Sequence, residues 1–169
     1  MPLTLAHFHR ELRDDLCAWA ELQLQAPLRQ RLEPDDLVQE IWSRACADFA
    51  RFDPTRGSFR GWLFGIAYHV LKQQLRTWQR RWRREDTGAA PERADEATSI
   101  ASRLARSERV TLLLDRVQGF AQPDRDLVLL RGLEGLPHAE VGRRLGITAE
   151  NAEMRWRRLR EQLACGLPE

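Results

Sequence analysis

Apolar residues recur at three- and four-residue intervals along almost the whole chain, and strict alternation is nearly absent. This periodicity predicts helices rather than sheet, because a helix stacks positions i, i+3, i+4 and i+7 on one face. Residues 4–26 place Leu5, Phe8, Leu12, Leu16, Trp19 and Leu22 on such a stripe. A second helix is predicted from Pro34 to Ala50. Leu37, Val38, Ile41, Trp42, Ala45, Cys46 and Phe49 turn inward, and Asp36, Gln39, Glu40, Ser43 and Arg44 occupy the opposite face. The stretch RFDPTRGS at 51–58 reads as a loop, since Asp-Pro and Gly interrupt helices. Ser58 is placed to cap a long helix reaching about Arg84, apolar early through Phe59, Trp62, Leu63, Ile66, Val70 and Leu71.

The pattern then stops. EDTGAAPERADEATSIAS at 85–102 carries Gly, Pro, small residues and an acidic excess, with no large apolar side chain before Ile100. That is the composition of a flexible linker. Helical periodicity resumes at 103–118, 123–133, 137–145 and 149–165. The expected fold is all-α: two small helical domains, 1–85 and 103–169, joined by a flexible linker at 86–102.

Composition narrows the function classes. Of 169 residues 43% are hydrophobic and 31% charged, enough apolar surface for two small cores. The formal net charge is only +2, so any strongly basic surface must be local. No apolar run approaches the roughly 18 residues of a membrane span, and MPLTLAHFHREL is too polar for a signal peptide. A cytoplasmic location without membrane insertion is the expectation. Cys17, Cys46 and Cys165 are odd in number and widely spaced, which indicates neither a disulfide framework nor a zinc site. Cys46, on the apolar stripe of the second helix, is expected to be a small core residue.

The local basic surface is RTWQRRWRRE, residues 76–85. Lys72, Arg76, Arg80, Arg81, Arg83 and Arg84 line about 20 Å of helix with no acid among them. The run can be a solvated face or a grip on a polyanion. Trp78 and Trp82, one turn apart, could stack on bases or bury against the first helix. Further on, LPHAEVGRRLGITAENAEMRWRRLREQL at 136–163 has the layout of a helix-turn-helix. Pro137 suits a first turn, Val141 and Leu145 face inward, and Gly146 permits the tight turn. Ile147 fills the angle between the helices, and Thr148 caps the next one. Ala152, Trp156, Leu159 and Leu163 form its buried stripe. Asn151, Met154, Arg155 and Arg158 are expected on the outer face, suited to phosphates and base edges. An ordinary helical hairpin with a charged outer face is the plainer reading of the same segment.

Two segments carry a resemblance. DDLVQEIWSRACADFARFDPTRGSFRGWLFGIAYHVLKQQLR resembles region 2 of a bacterial sigma factor, and DRDLVLLRGLEGLPHAEVGRRLGITAENAEMRWRRLREQL resembles its region 4. Their order, spacing and short linker are similar to the extracytoplasmic-function (group 4) class of the sigma-70 superfamily. The resemblance implies a transcription initiation factor rather than an enzyme, with no catalytic residue, metal or cofactor. It would bind bacterial core RNA polymerase and read −35 and −10 promoter elements while aiding DNA melting. Asp36, Gln39, Glu40 and Arg44 would dock on the β′ clamp helices, and region 4 would meet the β flap. Arg51, Phe52, Asp53 and Arg56 would hold a base flipped from the −10 element, with Arg60, Lys72, Arg76 and Arg80 gripping the strand and the upstream duplex. Thr148, Asn151, Met154, Arg155 and Arg158 would read the −35 element. The linker would thread toward the RNA exit channel, and an anti-sigma factor would be a further partner. Departures from the family pattern are Glu153 where a basic residue is common, Asn151-Ala152 for Thr-Val, and Pro137 for a Ser or Thr cap.

Two other classes fit parts of the chain. Asp35, Asp36, Glu40 and Asp53 could be metal ligands of a DNA-cutting enzyme, although Asp35 leaves the face shared by Asp36 and Glu40 and no catalytic Lys or His stands beside them. A self-sufficient helix-turn-helix regulator would bind duplex alone, as a dimer, and no dimerisation helix is evident. His7, His9, His69 and His138 show no ligand spacing.

Overall fold

The computed structural model describes residues 4–24, 29, 32–85 and 107–164, with 81–85 as backbone. The expected linker at 86–102 and the segment 103–106 lie outside them. All regular structure among the described residues is helical. In chain order it comprises α1 (Leu5–Gln23), α2 (Pro34–Asp48), a 3-10 turn (Phe49–Arg51) and α3 (Phe59–Glu85). Then come α4 (Glu108–Gln118), α5 (Gln122–Leu127) running into a π-turn (Val128–Leu133), α6 (His138–Leu145) and α7 (Ala149–Ala164). The described residues form two compact units, one of 24–85 with 4–5, the other of 6–23 with 107–164.

In the first unit α2 packs on α3. Pro34 starts α2 with the φ a first turn needs, and Asp35 and Asp36 lie where the helix dipole favours negative charge. Ile41 and Ala45 of α2 and Leu63 and Ala67 of α3 are fully buried. Each large apolar side chain so buried contributes about 1.5–3 kcal/mol. Cys46 is exposed, not core. At about 100° per residue it falls roughly 140° from the middle of the stripe that Leu37, Ile41 and Ala45 mark. α2 ends at Asp48, two residues early, because the chain tightens into the 3-10 turn. Ser58 Oγ caps α3 as expected, accepting the Gly61 N–H at 3.1 Å.

The second unit contains α1, which periodicity alone had placed with the N-terminal segment. Trp19 is wholly buried and its Nε1 donates to Glu134 Oε1 at 3.1 Å. Ser107 Oγ donates to Asp14 Oδ2 at 2.9 Å and accepts from Val110 N at 3.2 Å, so it caps α4 and ties it to α1. Leu22 packs against the core of Val117, Leu127, Val128, Leu130, Val141, Ala152, Leu159 and Leu163. Contacts across 93 and 115 residues leave no trace in local spacing.

The helix-turn-helix is formed by α6 and α7. Gly146 has φ of 68°, in the left-handed region, and its N–H bonds to the Gly142 carbonyl. A Cβ on Gly142 would lie 2.7 Å from the Ile147 carbonyl oxygen, so glycine there lets the two helices cross. Thr148 Oγ1 accepts the Asn151 N–H at 3.1 Å, capping α7 as expected. Pro137 is the residue before α6 rather than within its first turn, with ψ of 148°. Before the motif, the π-turn brings Gly132 so near Trp156 that a Cβ would sit 2.9 Å from the indole. Trp156 accordingly packs on the core.

Candidate nucleic-acid interface

A concavity in the first unit lies where the 3-10 turn, the loop and the start of α3 meet. It is a cleft of about 510 Å³ lined by Arg51, Phe52, Asp53, Arg56, Gly57, Ser58, Gly61 and Trp62. That falls in the range of small-ligand sites. Its apolar side is a packed aromatic group. Phe52 meets Trp62 with ring centroids 5.4 Å apart and stands edge-on to Phe59 at 5.3 Å and 88°. Phe49 stacks on Phe52 at 6.3 Å. Such offset and edge contacts fix a ring better than burial alone.

The polar side is set by the loop's own chemistry. Asp53 Oδ1 accepts from Thr55 Oγ1 at 2.7 Å and Thr55 N at 2.9 Å, and Arg56 N donates to the Asp53 carbonyl at 3.1 Å. The Thr55 hydroxyl first, then its N–H, holds the Asp53 carboxyl below its ordinary value. This Asx-type turn shapes the loop. Arg51 is 83% exposed and only lightly tethered, its Nη1 3.3 Å from Asp48 Oδ1. Arg56 is exposed as well. The cleft therefore joins a rigid aromatic wall to two arginines at its rim. Nothing within 4 Å of the Cβ direction at Gly57 closes it.

The other expected residues of this unit fall on two surfaces. Lys72, Arg76 and Arg80, four apart along α3, are all exposed. Arg60 is half-buried and already engaged within the protein. Trp78 is half-buried and in contact with its neighbours, while the side chains of Arg81, Trp82, Arg83 and Arg84 lie outside the described residues. On α2, Asp36, Gln39 and Glu40 are exposed and Arg44 half-exposed, one polar face opposite the buried stripe.

Thr148, the cap of α7, and Asn151, Met154 and Arg158 on it are exposed. Met154, at 51%, is the exposed large hydrophobic residue among those described. Arg155 differs from expectation. It lies at the margin of the buried stripe, about 60° from its middle, and its Nη2 donates to Asp124 Oδ1 at 2.6 Å. Glu153 lies 3.9 Å from His138 Nδ1 across the motif.

Trp62, Ser58 and Gly61 line the cleft, whereas the sequence marks Trp62 only as helix core and Ser58 only as a cap, and does not single out Gly61. The signal that could have placed Trp62 there is its spacing one turn beyond Ser58, close to Phe52 and Phe59 in sequence. Among the described residues no group of three or more His, Cys, Asp and Glu side chains is gathered as for a metal. Asp53, one of the four acids considered for such a site, has its carboxylate engaged by Thr55. No helix among the described residues is long and apolar enough to cross a membrane.

The Sigma-70 region 2 family model matches residues 9–83. The chain is 31% identical over 129 residues to the probable RNA polymerase sigma-C factor of Mycobacterium bovis, spanning 76% of this chain and 67% of that protein. The same figures hold for the ECF RNA polymerase sigma factor SigC of Mycobacterium tuberculosis. Among solved structures, CnrH in complex with the cytosolic domain of CnrY is similar at TM-score 0.44 and 20% identity, over 95% of this chain and 84% of that one. The chain belongs to the extracytoplasmic-function sigma factors of the sigma-70 family.

Proposed function

We propose that this sigma factor, which directs RNA polymerase to promoters, divides the work among five surfaces. The polar face of α2 (Asp36, Gln39, Glu40, Arg44) docks on the β′ clamp helices of the core enzyme, and the C-terminal unit meets the β flap. The cleft takes a base flipped out of the −10 element. The basic side of α3 (Lys72, Arg76, Arg80) holds the neighbouring backbone, and the outer face of α7 reads the −35 element. The observation that supports this most directly is the cleft itself. A single unstacked base needs a π-face to stack on and cations for its flanking phosphates, and Phe52 and Trp62 with Arg51 and Arg56 offer both.

The chemistry is binding alone. Unstacking a base costs a few kcal/mol, and stacking in the cleft returns about 1–3 kcal/mol. Arginine contacts to phosphate add affinity without sequence information. The protein thus shifts an opening equilibrium that core polymerase completes, and it needs no catalytic group of its own. The proposal includes an anti-sigma protein as a partner that blocks polymerase docking.

The test is promoter opening by reconstituted holoenzyme. Arg51→Ala with Arg56→Ala should keep closed-complex binding but lose permanganate-reactive thymines near the start site. Normal opening by that variant would remove the cleft from the mechanism.

A further inference from the structure

Arg155 of the recognition helix is held by an acid from another element. Asp124 stands in the first turn of α5, and its Oδ1 accepts Arg155 Nη2 at 2.6 Å, with 30% and 32% of the two side chains exposed. The platform under Asp124 is fixed. Arg125 Nε donates to the Phe120 carbonyl at 2.8 Å and its Nη2 to that of Gln118 at 2.5 Å. Leu127 is fully buried, and Gln122 Nε2 donates to Asp126 Oδ1 at 2.8 Å.

A half-buried, charge-assisted hydrogen bond fixes a guanidinium far better than an exposed one. Arginine has five N–H donors in a planar fork, and the bridge engages one terminal nitrogen. The bridge thereby restricts where the guanidinium sits before DNA arrives. Pairing also neutralises Asp124, which would otherwise repel the phosphates beside the groove. Preorganising a long side chain reduces what binding must spend on ordering it.

We propose that Asp124 is a positioning residue for promoter choice: it presents the guanidinium of Arg155 to a guanine in the upstream element. Guanine is the base whose O6 and N7 accept an arginine fork. The inference rests on the reading of α7 as the −35 helix.

The experiment is selection from promoters randomised across the upstream element, using holoenzyme assembled from the full chain and bacterial core polymerase. Wild type, Arg155→Ala, Asp124→Ala, the near-isosteric Asp124→Asn and the double variant Asp124→Ala/Arg155→Ala are compared. Arg155→Ala should lower preference for guanine about tenfold at one or two positions. Asp124→Ala should relax the same positions about fivefold or more, Asp124→Asn should fall between it and wild type, and the double variant should be no worse than Arg155→Ala. A uniform loss at all positions for both Asp124 variants, or an unchanged profile, overturns the inference while Arg155 still reads a base. If Arg155→Ala itself leaves the profile unchanged, the reading of α7 at this residue fails, and the role of Asp124 fails with it.

Discussion

Trp19 and Glu134 are joined by a buried hydrogen bond across 115 residues, indole Nε1 to carboxylate Oε1 at 3.1 Å. Glu134 is 3% exposed and also lies 3.8 Å from Arg144 Nη1 on the first helix of the helix-turn-helix. Helix α1 is thus joined, through one carboxylate, to α6 of the helix-turn-helix. Trp19→Phe keeps most of the packing but removes the donor, and a buried acceptor so deprived costs about 1–3 kcal/mol. Trp19→Ala adds a cavity and should cost about 3–5 kcal/mol. Urea melts followed by circular dichroism check both. For the same reason a fragment beginning at 103 should melt earlier than the intact chain, and a peptide of residues 4–24 should partly restore it.

Gly142 and the Ile147 carbonyl make the second prediction. A Cβ at 142 would approach that oxygen to 2.7 Å, with backbone on both sides and no flexible side chain to yield. Gly142→Ala should cost about 1–3 kcal/mol through overpacking and weaken promoter binding by opening the angle between α6 and α7. Thermal denaturation and holoenzyme binding measure the two effects.

Acid should act on α6. Arg143 first, then Arg144, hydrogen-bonds Glu140 and lowers its carboxyl from 4.5 to about 2. The folded value is depressed, so the stabilisation is fully present above 4.5 and is lost as pH falls through about 2. An NMR titration should place the Glu140 carboxyl midpoint near 2. A midpoint at 4.5 would mean that the two arginines do not hold it in solution.

The basic side of α3 should act without regard to sequence. Replacing Arg76 and Arg80 together by Ala should weaken binding on all promoters and reduce the salt slope by about two. Binding isotherms across a salt series report that slope directly.

The sequence made the helices legible because one-faced burial imposes a period, and Ser58, Gly146 and Thr148 act where local chemistry requires them. Cys46 shows the limit: a residue of ambiguous polarity at the edge of a stripe is not placed by its type. The cleft was half legible. RFDPTRGS announces a loop, but only packing brings Trp62 onto Phe52. Glu134 reads locally as a loop acid, and Asp124 as an ordinary first-turn acid. Their partners, 115 and 31 residues away, give them their roles.

The most direct test is run-off transcription from a randomised promoter library with core polymerase, with and without this protein. Transcripts should appear only in its presence, from templates sharing a −35 and a −10 element at a fixed spacing. Glu40→Lys with Arg44→Glu should abolish them while leaving the helical content intact. Transcripts independent of the protein, or from templates with no shared element, would contradict promoter reading by this chain.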